Sequence, residues 1–293
     1  MQVFLTSLTL LLLFFHGCSK ENSKPLTISV NAWIGFSPLF YAKEKGWLEP
    51  LNIDLLPVIS LRENVHIYSS GRADAFPGTQ FEYKQVMKKT KDLIPIITFD
   101  RSLGGDMIMS NYSLEKLQRS KKIDAYLEMD TINYEVLNDF IVNHNIPRTH
   151  INFIDKNQAE IPNHIKNIKS NSMLVSTYVP HNIALEALGF KEVASTRKGL
   201  NLLVIDALYT TREVFTKNRT RFIDLKKVVD RAIVDLTKNP FEYYEKVAPY
   251  LENISYNDFK ETLDDIEWIN HAISKKLKHR MQKAGIPIQD IIW

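Results

Sequence analysis

The chain has one cysteine in 293 residues, only 10 glycines and 12 prolines, and no block of like charge. Each shortage excludes something. A lone cysteine leaves no disulfide framework and no Cys-rich metal site. Low glycine and proline exclude collagen-like and low-complexity chains. With 37 basic against 34 acidic residues and no clustered Lys or Arg, a nucleic-acid partner is not expected. The patterns HExxH, GxSxG and GxxxxGK[ST] are absent, and the eight histidines form no close helical pair, so neither a zinc site nor a P-loop nor a serine nucleophile elbow is indicated. No metal or organic cofactor is implied. What remains is a chain that is 44% apolar and 11% aromatic, rich enough to bury a core and long enough for about two domains.

The cysteine is Cys18, directly behind the apolar run VFLTSLTLLLLFF, and no Lys, Arg, Asp or Glu precedes Lys20. A run this short falls below the roughly 20 residues of a spanning helix and suits the core of an export signal. His16-Gly17-Cys18-Ser19 places a small residue before Cys at the end of that run, as at a bacterial lipoprotein cleavage site. Three readings fit: a lipoprotein whose Cys18 carries the lipid, an ordinary cleaved signal, and an uncleaved anchor. The lipoprotein is preferred, and all three put the rest of the chain outside the cytoplasm. Residues 1–17 are then the signal peptide and residues 18–25 a linker. No later apolar run reaches spanning length.

From Leu26 the pattern alternates. β-Branched runs such as Leu26–Val30 and Leu93–Phe99 predict strands, and helices are predicted over Ser37–Lys45, Ser60–Tyr68 and Gln80–Lys88, with Pro77-Gly78-Thr79 as a turn. A second α/β series follows, including a strand over Ile123–Leu127 and helices over Ile132–Asn143 and His181–Leu188, before the apolar strand Leu202–Leu208. Helical spacing alone follows, ending with Glu267–Lys278. The fold class is therefore α/β, with two parallel-rich sheets and C-terminal helices. The units are either sequential domains or two lobes joined by a double crossover.

The segment from Asn31 to Leu48 (NAWIGFSPLFYAKEKGWL) resembles the opening strand, turn and helix of substrate-binding proteins of ABC importers, in the nitrate/sulfonate/taurine and thiamine-pyrimidine-precursor class. Further blocks resemble the same family in order: Ser70–Phe76 (SGRADAF), Asp100–Ile108 (DRSLGGDMI), Ser176–Pro180 (STYVP) and Leu203–Glu213 (LVIDALYTTRE). The resemblance spans about Leu26 to Lys238. It implies a two-lobed type II periplasmic binding protein fold, with residues 26–100 plus 206–293 as one lobe and 101–205 as the other. It also implies a monomer that is not an enzyme, takes a small-molecule ligand, and has a permease and ATPase as partners. The turn Met129–Asn133 departs from the Gly- or Ser-rich turn common in the family and leaves the ligand's identity open.

In such lobes the ligand lies at the carboxyl ends of the strands, against helix N-termini. The candidate ligand-binding residues are Trp33, Phe36, Ser37, Gly78, Thr79, Arg101, Ser102, Thr131, Asn133, Tyr178 and Asp206. Hinges are expected near Ser102 and Asp206, with Gly104-Gly105 allowing the bend between lobes. Arg101, then Arg62, is best placed to meet an anion. Glu82, Asp106, Glu128, Asp130 and Asp206 also lie near strand ends, Asp130 being a candidate helix cap. A zwitterionic or neutral heteroaromatic ligand therefore fits as well as nitrate or a sulfonate. Two other readings stand beside transport: the cleft reporting ligand to a membrane sensor, and a pyrimidine- or menaquinone-precursor enzyme of the same fold.

Overall fold

The computed structural model describes residues 24–168, 171–269, 271 and 273–292. Cys18 and the apolar run before it lie outside the described residues. Among the described residues no helix is long and apolar enough to cross a membrane.

The chain opens with β1 (Leu26–Val30), α1 (Ser37–Glu44), β2 (Ile53–Pro57), α2 (Leu61–Ser69), β3 (Ala75–Thr79), α3 (Gln80–Met87) and β4 (Leu93–Ser102). It continues through β5 (Asp106–Ser110), α4 (Leu114–Arg119), β6 (Ile123–Leu127), α5 (Ile132–Asn143), β7 (Ile151–Asp155), α6 (Ile161–Ile165), β8 (Ser172–Tyr178), α7 (Asn182–Glu186) and β9 (Lys191–Ser195). It closes with β10 (Ile205–Thr211), α8 (Arg212–Lys217), α9 (Arg219–Lys238), α10 (Pro240–Val247), α11 (Tyr256–Leu263), β11 (Ile266–Trp268) and α12 (Lys275–Lys283).

Two sheets result, one of six strands in the order β11-β4-β10-β3-β1-β2 and one of five in the order β7-β6-β8-β5-β9. The strands β3, β5, β6 and β8 are buried along their whole length, as strands covered on both faces must be. β1 is parallel to β2 and β3, and β6 to β7 and β8. Both sheets are nonetheless mixed. β10 runs antiparallel between β3 and β4, and β5 antiparallel to β8, because each enters its sheet from the opposite lobe. The chain crosses between sheets twice, through 103–105 and again through 196–204. The C-terminal helices return to the six-stranded lobe, where Tyr243 stacks on Tyr41 at 4.3 Å between ring centroids and Tyr250 on Phe40 at 4.5 Å.

Two segments differ from the sequence-based expectation. Pro77-Gly78-Thr79 is the end of β3 rather than a turn. β3 meets β1 only at Ala75 and beyond that point pairs with β10, so the N–H that Pro77 lacks is not missed on the β1 side. The Pro77 carbonyl there accepts from the Asn64 side chain at 2.8 Å. In place of a helix over Glu267–Lys278, β11 adds to the edge of β4, and α12 begins only after the Ser274 cap.

Candidate functional site

The carboxyl ends of β1, β3, β6 and β8 and the amino ends of β5 and β10 converge between the lobes. The cavity there is lined by Asn31, Trp33, Phe36, Leu61, Thr79 and Asp206 from one lobe and by Asp106, Ile132 and Tyr178 from the other. It is about 20 Å³, room for roughly one water. The lobes are thus closed on each other, and a molecule of several heavy atoms enters only when they part.

Trp33 is fixed from three directions. Its Nε1 donates to both carboxylate oxygens of Asp100 at 3.3 Å. Its ring meets Tyr178 of the opposite lobe edge-on, 5.9 Å between centroids at 72°, a favoured geometry for an aromatic pair. It also lies against two glycines. A Cβ at Gly105 would sit 2.5 Å from the Trp33 ring, and one at Gly35 would overlap the Asp100 carboxylate. Gly104, at φ +136°, makes the bend itself.

The lobes are latched by carboxylates exchanged between helix N-termini. Thr79 caps α3 in a capping box with Glu82. The other oxygen of Glu82, Oε1, accepts from the backbone N–H of Ile132 at 2.8 Å, the first residue of α5 in the opposite lobe. Glu128 does the converse, accepting from the Arg62 N–H in the first turn of α2 at 3.3 Å. The Arg62 guanidinium spans the rim to Asp155, at 2.9 Å through Nη1. Helix N-termini attract negative charge, and here both are supplied with it by the protein.

Five carboxylates consequently lie in the cleft region. Glu82, Asp100, Asp106, Glu128 and Asp206 are all at most 3% exposed. Burial raises the pKa of each, well above the ordinary range for Asp100 and Asp206, which face each other across β4 and β10. Asp106 is pushed up to about 7 by burial and by the charge of Glu82, against a hydrogen bond from Ser102 that lowers it. Asp106 Oδ2 has no hydrogen-bond partner, and the Tyr178 hydroxyl, beside Asn31, has none of good geometry. His181, packed on Tyr178 at 4.9 Å, is held down to about 4 by burial and is neutral at pH 7. Among the described residues no group of three or more His, Cys, Asp and Glu is placed to hold a metal ion.

Of the eleven sequence candidates, the structure brings Trp33, Phe36, Thr79, Tyr178 and Asp206 together on the cavity wall. The other six lie elsewhere. Ser37 turns into its lobe, 3.1 Å from the Tyr243 hydroxyl. Gly78 is covered by Glu82. Arg101 points to the sheet edge and pairs with Glu267 at 2.6 Å. Ser102 belongs to the crossover, bonded to Thr196 at 2.8 Å and to the Asp106 N–H at 2.9 Å. Thr131, not Asp130, caps α5, and Asp130 is exposed. Asn133 accepts from Gln158 at 2.8 Å inside the second lobe. Sequence reasoning missed Asn31, Leu61, Asp106 and Ile132 as wall residues. An acidic residue at the head of the apolar run DMIMS was the signal for Asp106.

This topology, with two mixed sheets crossed twice by the chain and a cleft at the strand ends, is the two-lobed fold of periplasmic substrate-binding proteins. Among solved structures it is similar to the alkanesulfonate-binding protein SsuA of Xanthomonas axonopodis pv. citri bound to MOPS, at TM-score 0.70 and 12% identity over 90% of this chain and 93% of that one. It is similar to the zinc-bound ligand-binding component of an ABC-type import system from Staphylococcus aureus, at 0.68 and 13% over 92% and 97%. The periplasmic nitrate-binding protein NrtA of Synechocystis PCC 6803 matches at 0.61 and 14% over 81% and 69%. No protein-family model and no curated protein matches the chain.

Proposed function

We propose that the chain is an exported substrate-binding lipoprotein. It captures a small molecule between its lobes and delivers it to the permease and ATPase of an ABC importer. The observation that carries this reading is the cavity itself, walled by aromatic and polar side chains from both lobes. A site divided in this way is completed only by closure, so binding and lobe motion are coupled. The solved structures of the same fold include binding components for a sulfonate and for nitrate, which supports capture rather than catalysis. Cys18 is the proposed lipid attachment point and would hold the protein at a membrane surface. The reading is tested by native mass spectrometry of freshly purified protein, together with small-angle scattering before and after denaturation and refolding. A retained small molecule, and an increase in radius of gyration once it is removed, are expected. A protein that carries nothing and keeps one shape in all conditions would overturn it.

A further inference from the structure

The walls narrow the ligand's chemistry, an inference that rests on the binding-protein reading. An oxyanion in this cleft would meet five buried carboxylates. It would find the N-termini of α2 and α5 already filled by Glu128 and Glu82. The two arginines nearest the cleft are committed elsewhere, Arg101 to Glu267 and Arg62 to Asp155 at the rim. On the cavity wall the atoms without a partner are a carboxylate oxygen of Asp106 and the Tyr178 hydroxyl. Asp106 and Asp206 both face the cavity, and Asp106 Oδ2, in a side chain 3% exposed, bonds to nothing. A buried carboxylate is normally paired, and the aromatic walls Trp33, Phe36 and Tyr178 present ring surface of the kind that attracts cations. Among the described residues the acids are not grouped as a metal cage, and the aromatic walls suit an organic cation.

We propose that the cleft binds a small organic cation, an amine or amidine type, whose N–H groups donate to Asp106 and Asp206 and whose charge lies against Trp33 and Tyr178. Such a ligand stabilises the ionised acids and so expels protons as it binds. The groups facing Asp106 are Glu82, Ser102, Tyr178 across β8 and, more distantly, Asp100 and Asp206. None is cationic, and the neighbouring His181 is neutral.

The test is isothermal titration calorimetry on the full chain in mild detergent, in two buffers of different ionisation enthalpy. The probes are benzylammonium, methylguanidinium and trimethylammonium, set against methanesulfonate and nitrate. At least one cation should saturate with net proton release, and its affinity should rise between about pH 6 and pH 8. Asp106→Asn and Asp206→Asn should each weaken it about thirtyfold or more while the thermal melt shows a folded protein. Loss of proton release in Asp106→Asn separates a ligand contact from a packing role. Binding of methanesulfonate or nitrate with proton uptake, and of no cation, would overturn the cation and leave the binding-protein reading standing. Heat from neither class, in a protein that also carries nothing in native mass spectrometry, would overturn both.

Discussion

Replacing Asp106 with Asn should make the unliganded protein more stable, by an amount that depends on pH. In the fold the Asp106 carboxyl is raised from an ordinary 3.8 to about 7, so it binds its proton more tightly folded than unfolded. The stability this confers is fully present below about pH 3.8 and is lost as pH rises through about 7. At about 1.4 kcal/mol per unit, a shift of roughly three units costs about 4 kcal/mol once the group is ionised. Part of that cost is repulsion from Glu82 and is shared with it. The amide keeps the shape and removes the charge. Wild type and Asp106→Asn should therefore differ by only about 1 kcal/mol at about pH 4.5 and by about 4 kcal/mol near pH 8, the latter a difference on the order of 10 °C in Tm. Urea and thermal unfolding at the two pH values measure it. A variant no more stable than wild type at the higher pH, or an advantage of equal size at both, would refute the burial argument.

Glu82→Ala removes both the α3 capping box and the acceptor for Ile132, so it should cost about 1–3 kcal/mol and shift the scattering profile toward parted lobes. Gly105→Ala drives a methyl into the Trp33 ring and should cost about 1–3 kcal/mol by overpacking, with an altered tryptophan fluorescence spectrum; an unchanged spectrum would mean that the ring does not rest there. Cys18→Ala should abolish metabolic labelling by palmitate and move the protein from the membrane to the soluble fraction.

Much of the architecture was legible because local signals agreed with burial. Ile123–Leu127 and Ile132–Asn143 begin and end where the apolar runs place them, although the cap is Thr131 and not Asp130. Pairing partners decided the failures. Nothing local in Pro77-Gly78 announces that β10 will lie beside it, and Ile266–Trp268 becomes a strand only because the β4 edge is there to accept it. β9, with two exposed residues at its start, has too weak a pattern to stand out. The candidate site divides in the same way. The strand ends themselves could be located, so Trp33, Thr79 and Tyr178 were expected where they line the cavity. The direction of a side chain within a turn depends on distant groups, and Tyr243 and Glu267 draw Ser37 and Arg101 away from the cavity. The acids near strand ends were visible as charges. Their exchange between lobes joins residues 50 and 66 positions apart, which no local pattern encodes.

That exchange bears on how an importer would recognise its cargo. Contacts between Glu82 and α5 and between Glu128 and α2 are made only when the lobes meet, so part of the closing energy comes from the protein's own groups rather than from the ligand. On the binding-protein reading, a ligand then has to supply only the remainder. A ligand can shift such an equilibrium only by binding the shut form more tightly than the parted one. Cargo would register as a longer dwell time in the shut form.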